Sequence, residues 1–376
     1  MRIAVNTRLL ISGKMDGIGW FTSETIRRIV VAHPEHEFYF FFDRKPEPAF
    51  IFASNVHPVV LCPQARHPIL WYLFFEWSVP AALRRYKIDL FVSPDGFIPT
   101  HCKVPTLSVI HDINFEHAEN NLKPSHQRFM THYFQQYACK ATRVATVSEF
   151  SKSDIVETYH VSPQKIDVVY DGAHTQHHPY GAEADQNTRN QFVQGCPYFI
   201  FVSTILKRKN LANLLIAFDR FKKTDTAHTK LVVVGARVWW QDELKEAYEH
   251  LRYAEDVVFL GHADTETLSR LLSAAIALVY PSFFEGFGIP IIEAFHAETP
   301  VITSNCTSMP EVAGDAAILI DPHDADAIAA ALTAVTQQPQ LCEQLVEKGR
   351  ERRKQFSWDI TADLLWRSIE KTTVSL

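Results

Sequence analysis

The chain has 376 residues, of which 47% are hydrophobic and 21% charged, and a formal net charge of -6. At about 150 residues per domain, that length suits two domains with sizeable cores. The balance of residues excludes disordered, collagen-like and membrane-spanning classes. Residues 1–180 hold 18 Lys and Arg against 17 Asp and Glu, and the remainder holds 19 against 26. Neither half has the strongly basic character of a nucleic-acid binder. The apolar run Ile69 to Phe75 is ended by Glu76, far short of the roughly 18 residues a transmembrane helix needs. The N-terminus opens straight into a strand-like segment, so no signal peptide is expected. Six cysteines stand at 62, 102, 139, 196, 306 and 342 without a C-x-x-C unit. Neither a metal knuckle nor a disulfide framework is indicated, and the cytoplasm is the natural compartment.

Short β-branched and aromatic runs alternate with helical patterns, the signature of βαβ units and parallel sheets. Strands are expected at 2–10, 38–42, 57–61, 89–93, 105–110, 144–148 and 166–170, then at 198–203, 229–235, 256–260, 276–280, 299–303 and 317–320. The polar, turn-rich stretch His174 to Cys196 separates the two sets. Two doubly wound α/β domains of similar size are expected, 1–178 and 190–356, facing each other across a cleft. Segment 357–376 follows as a terminal amphipathic helix with Ser357 as a candidate N-cap. Ligands of such sheets bind beyond the carboxyl ends of the strands, so the residues after each strand carry the chemistry.

After the first strand comes Gly13-Lys14-Met15-Asp16-Gly17-Ile18-Gly19. Its spacing is not the dinucleotide fingerprint G-x-G-x-x-G. It reads either as a loop able to accept an anion or a sugar, or as a plain turn. The aromatic stretch Trp71, Tyr72, Phe74, Phe75 and Trp77, followed by Arg84, Arg85 and Lys87, suits a helix packed inside the first domain. Peripheral contact with the inner membrane is the alternative. His111-Asp112 ends the apolar strand 106–110 at the expected cleft, and Pro94-Asp95 and Ser148-Glu149 end neighbouring strands. His174, His177 and His178 lie together in the connector. They lack the carboxylate or cysteine spacing of a metal site.

Strand 198–203 leads into Lys207-Arg208-Lys209-Asn210 and then an apolar-periodic helix. Cations between a strand end and a helix start suit a diphosphate, unless the run is simply solvated. The stretch Tyr280 to Pro300 (YPSFFEGFGIPIIEAFHAETP) runs from a buried strand through Glu285-Gly286-Phe287-Gly288 into a helix starting around Pro290. The glycines let backbone N–H groups approach a ligand. Glu285 in the loop and Glu293, placed in the first helical turn, can then face one cavity; otherwise Glu293 only caps the helix. Carboxylates for hydroxyls and cations for phosphates together describe a sugar nucleotide.

These residues resemble glycosyltransferase family 4, the group 1 glycosyltransferases, over nearly the whole chain. EGFGIPIIE, PVITSN, MPEVAGDAA and ILIDP occur in the family's order, with the E-x7-E pair Glu285 and Glu293 and the R-K-N element Arg208-Lys209-Asn210. The resemblance implies the GT-B fold, two Rossmann-like domains, and transfer of a sugar from a nucleotide diphosphate sugar with retained anomeric configuration. It implies no cofactor and no metal, the diphosphate being handled by cationic side chains and helix N-termini. Carried over, Arg208 and Lys209 stabilise the leaving diphosphate and Glu293 holds the ribose hydroxyls. Glu285, with Gly286, Phe287, Gly288 and Ile289, holds the sugar and phosphate. His111 contacts the transferring sugar, and the Gly17–Gly19 loop closes on the phosphates. Asp112, Asp95 and Glu149 are the weaker acceptor-side candidates. The terminal helix crosses back onto the first domain.

The second-domain pattern is mannosyltransferase-like, which points to GDP-mannose as donor. The acceptor implied is a glycan or lipid-linked glycan of surface polysaccharide or lipopolysaccharide synthesis, reached from the cytoplasm or the cytoplasmic face of the membrane. Two positions depart from the family: Ser203 and Glu298 stand where Gly is usual. A sugar-nucleotide epimerase of the same architecture and a non-catalytic sugar-nucleotide-binding protein are the rival readings.

Overall fold

The structure, a computed structural model, describes residues 1–117, 122–173 and 176–374. The chain divides into two compact units. The first takes Met1–Ala118, Leu122–Gly172 and Trp358–Leu376, and the second takes Ala173–Ser357. In the first unit the strands are β1 (Arg2–Asn6), β2 (Glu37–Phe42), β3 (Val56–Val60), β4 (Leu90–Ser93), β5 (Thr106–Val109), β6 (Arg143–Thr146) and β7 (Ile166–Val168). In the second they are β8 (Tyr198–Val202), β9 (Lys230–Val234), β10 (Val257–Gly261), β11 (Ala277–Tyr280), β12 (Val301–Ser304) and β13 (Ala317–Ile320). Each strand expected from the sequence is present. The first is shorter than 2–10 because Leu10 N bonds Thr7 O at 3.1 Å, turning the chain after Asn6.

The sheet orders are β3-β2-β1-β4-β5-β6-β7 and β10-β9-β8-β11-β12-β13, with parallel pairing throughout. Both are doubly wound. The order reverses between β1 and β4 in one sheet and between β8 and β11 in the other, and ligands of such sheets sit at those reversals.

Parallel sheets are covered on both faces, so their strands read as continuous apolar runs. In β2, Phe38, Phe40 and Phe42 enter one core while Phe41 enters the core on the opposite face, as a period of two requires. The helix Leu211–Lys222 buries Leu211, Leu214, Leu215, Phe218 and Phe221 against the second sheet. Each such side chain contributes about 1.5–3 kcal/mol. The final helix, Trp358–Val374, places Trp358, Ala362, Leu365, Trp366 and Ile369 in the same core as Ile3, Val5 and Phe40. It therefore belongs to the first unit although the second precedes it in the chain.

Past the end of β7, Asp171 is 5% exposed, and its Oδ1 has no partner among the described residues. Burial pushes its carboxyl from an ordinary 3.8 up to about 8. Between those values the folded chain keeps a proton that the unfolded chain has released, so stability falls as pH rises from about 4 to about 8. Asp171→Asn is neutral throughout. Its thermal stability should exceed wild type by a margin that widens from pH 5 to pH 8 to on the order of 1–3 kcal/mol. A margin constant across that range would contradict this account of the residue.

Candidate active site

The second unit's reversal point is where the sequence motifs meet. The loop after β8 forms a tight turn at Lys207–Lys209. Asn210 ends it in the left-handed region, φ 59°, where Asn is tolerated better than most side chains. Asn210 Nδ2 donates to Pro281 O (2.9 Å) and Pro322 O (2.7 Å). Phe283 N also donates to Arg208 O at 2.8 Å. The loops after β8, β11 and β13 are thus joined, and the Asn of the R-K-N element is the clasp.

Within that clasp, Lys209 Nζ donates to Glu285 Oε1 at 2.5 Å and to the Tyr280 hydroxyl at 2.9 Å. Tyr280 in turn donates to Glu285 Oε1 at 2.8 Å. Arg208 Nη1 reaches Glu285 Oε2 at 3.0 Å and Phe284 O at 2.9 Å. Lys209 is 8% exposed and Glu285 6%. Burial alone would raise the Glu285 carboxyl, but the Lys209 ammonium and Arg208 guanidinium overcome it and hold the group at about 2. Glu285 is therefore an anion at any physiological pH. Thr307 Oγ1 accepts from Glu285 N at 3.4 Å, and Ser308 Oγ donates to Glu285 O (2.9 Å) and Phe287 O (2.8 Å). The E-G-F-G loop is fixed from β12's side as well.

Gly288 caps the helix Ile289–His296 with φ 113°, a conformation that L side chains rarely adopt. Gly286 and Phe287 are buried in front of it, and Ile289 opens the helix. Glu293 lies beyond the first turn, not within it, because the helix starts at Ile289 and its first turn carries no acid. It does not join the Glu285 cluster. Its Oε1 instead faces His177 Nε2 at 3.5 Å.

The two departures from the family pattern are accommodated by the backbone. A Cβ on Gly235 (φ 140°) would stand 1.9 Å from Ser203 O, so Gly235 makes room for the Ser203 loop. Glu298 adopts φ 59° just past the helix, and its carboxylate pairs with Arg350 at 2.5 Å. It terminates the helix in the left-handed conformation that Gly would supply.

In the first unit, His111 follows β5 with its Nε2 donating to Pro94 O at 2.9 Å. That bond fixes the proton on Nε2 and makes Nδ1 the acceptor. Burial pulls the ring's pKa below the ordinary value, with Asp112, Asp16 and Asp95 opposing the shift. Gly17 and Gly19 are not in a loop. The helix Gly17–Ala32 already contains both, because Asp16 accepts from Gly19 N at 3.0 Å and starts the helix there. Asp95 accepts from Asn6 Nδ2 (2.7 Å), Ser93 Oγ (3.0 Å) and Arg8 Nε (2.6 Å), holding the ends of β1 and β4 together. Asp112 accepts from Asn114 N and Nδ2 within its own turn. Glu149 is exposed in the first turn of the helix Glu149–Tyr159. Of the aromatic stretch, Phe74 and Phe75 are in the core, while Tyr72 and Trp77 are 41% and 67% exposed.

Sequence reasoning missed three participants. Tyr280 closes an apolar strand, and a buried Tyr needs a partner for its hydroxyl; that was the available signal. Ser308 and His177 carried none, since their contacts depend on tertiary placement. In the connector, His174 lies outside the described residues, His178 is exposed, and only His177 is buried. Among the described residues no group of three His, Cys, Asp or Glu side chains is placed to hold a metal ion. None of the described helices is long and apolar enough to cross a membrane.

Comparison with known proteins decides the family. The model for glycosyl transferases group 1 matches residues 183–352, and that for glycosyltransferase family 4 matches residues 15–177. The O-antigen chain mannosyltransferase B of Escherichia coli is 30% identical over 357 residues, 92% of this chain and 93% of that protein. The chain belongs to the group 1 glycosyltransferases. The O-antigen chain mannosyltransferase RfbU of Salmonella typhimurium is 28% identical over 277 residues, 72% of each chain. Among solved structures, Anabaena HepE in complex with UDP-glucose superposes with a TM-score of 0.73 at 16% identity, over 99% of this chain and 100% of that one. The fold of this glycosyltransferase is GT-B, two Rossmann-like α/β domains. Nothing in these similarities supports an epimerase.

Proposed function

We propose that this glycosyltransferase takes a nucleotide diphosphate sugar at the β8/β11 reversal point and transfers the sugar with retained anomeric configuration. The observation that carries the reading is the meeting of Arg208 and Lys209, from one side of that point, with Glu285 from the other. A buried ammonium, a half-buried guanidinium and an ionised carboxylate beside helix-opening amides suit a diphosphate and its sugar. GDP-mannose is the donor we favour, supported by the O-antigen mannosyltransferases the chain resembles. The acceptor is then a glycan or lipid-linked glycan of surface polysaccharide, and the compartment the cytoplasm.

In this reading the bond from the sugar's anomeric carbon to the diphosphate oxygen breaks first. Lys209 and Arg208 meet the negative charge that grows there. The acceptor hydroxyl attacks from the same face and passes its proton to the departing phosphate. Glu285 steadies the sugar's developing positive charge, and Glu293 holds the ribose. On the first unit, His111 is the candidate sugar contact, offering Nδ1 as an acceptor because its Nε2 donates to Pro94 O.

No step is assigned to a metal. GDP or UDP at 100 times its dissociation constant should stabilise the protein by about 2.7 kcal/mol, and the shift should persist in excess EDTA. A shift abolished by EDTA and restored by magnesium or manganese would overturn the metal-independent reading. The absence of any shift with either nucleotide would overturn the donor site.

A further inference from the structure

His177 is 2% exposed, and its Nδ1 has no hydrogen-bond partner among the described residues. Leaving a buried polar atom unpaired costs about 1–3 kcal/mol, and an apolar residue at this position would avoid that cost. What the imidazole offers in return is its other nitrogen: Nε2 stands 3.5 Å from Glu293 Oε1. Facing a carboxylate, Nε2 is the nitrogen placed to present a proton to it.

The backbone that carries the ring is tied on both sides of His177. Gln176 O accepts from Ser269 Oγ at 3.3 Å, and Tyr180 N donates to Ser273 Oγ at 3.0 Å. Both serines lie on the helix Thr265–Ala274, so the chain around His177 is stapled to that helix. The other titratable groups around Glu293 do not replace His177. His296, one turn further along the same helix, is held at about 4 by burial and the Arg353 guanidinium. Arg353 itself donates to Phe295 O and His296 O at 3.1 Å each, at the helix's C-terminal end.

We propose that His177 is a positioning residue for the nucleotide: it holds Glu293 by Oε1 and so leaves Oε2 to accept from the ribose hydroxyls. The inference rests on the reading that Glu293 takes the ribose, and it adds a residue from outside both linear motifs of the site. It predicts a signature that a merely structural role would not give, because the effect of His177 should depend on whether the ligand carries ribose hydroxyls.

The test is a binding titration with GDP and with 2′,3′-dideoxy-GDP, or with the uridine pair if UDP is the nucleotide the wild type binds. His177→Phe keeps a flat ring without a donor. It should weaken ribonucleotide binding roughly 3- to 10-fold and leave the dideoxy nucleotide within about twofold. His177→Gln, which can place an N–H near the same point, should restore most of the affinity. His177→Phe should also add nothing to Glu293→Gln. Equal losses on both nucleotides, or none on either, would overturn the proposal while Glu293→Gln still discriminated between them. A Glu293→Gln that lost equally on both would instead overturn the ribose reading, and this inference with it.

Discussion

Lys209→Ala should lower kcat on the order of 100- to 1000-fold, with a smaller change in donor KM. In the proposed mechanism the charge Lys209 meets grows as the glycosidic bond breaks, so its contribution is larger in the transition state than in the bound substrate. The structure adds that this ammonium is set in place beforehand by the Tyr280 hydroxyl and Glu285 Oε1. A donor already oriented needs no rearrangement at the moment of reaction. The same burial gives the variant a stability cost, since removing one partner of a buried pair costs about 3–5 kcal/mol. Arg208 remains at 3.0 Å from Glu285 and reduces that cost. The kinetics therefore belong well below the variant's Tm, with saturating acceptor. A kcat within twofold of wild type would remove Lys209 from the chemistry.

Glu293→Gln should behave differently. Contacts to ribose hydroxyls exist in ground state and transition state alike, so their loss raises KM and leaves kcat nearly unchanged. A charged hydrogen bond contributes about 1.5–3 kcal/mol, so donor KM should rise roughly 10- to 150-fold. Glu293 stands apart from the Lys209–Glu285–Arg208 cluster and faces His177 instead. The separation of partners is the structural ground for a separation of effects. A fall in kcat at unchanged KM would mean that Glu293 acts on the sugar and that its role and that of Glu285 are exchanged.

Much of this was legible in the sequence because the informative residues are close together along the chain. The R-K-N element and the E-x7-E pair are linear, and each follows a strand whose apolar run is unmistakable. Doubly wound topology then places the ends of β8 and β11 side by side. What the sequence hid was pairing across long separations. Glu285 and Glu293 look equivalent as carboxylates eight residues apart, yet one is held by two cations and the other faces an imidazole from the connector. The glycines suggest a loop at Gly17 and Gly19, yet Asp16 directly before them is a strong N-cap type and starts the helix at Gly17. Asp95 looked like a site residue because it ends a strand, but Asn6, Ser93 and Arg8 occupy it.

The most direct test of the whole account is transfer itself. Purified protein would be incubated with GDP-mannose, and with UDP-sugars as alternatives, in the presence and absence of a glycan or lipid-linked acceptor. Nucleoside diphosphate release and the anomeric configuration of the product would be read together. The account predicts acceptor-dependent release, a glycoside with the donor's configuration, and loss of both in Lys209→Ala. An isomerised nucleotide sugar, an inverted glycoside, or saturable nucleotide-sugar binding without turnover would contradict it.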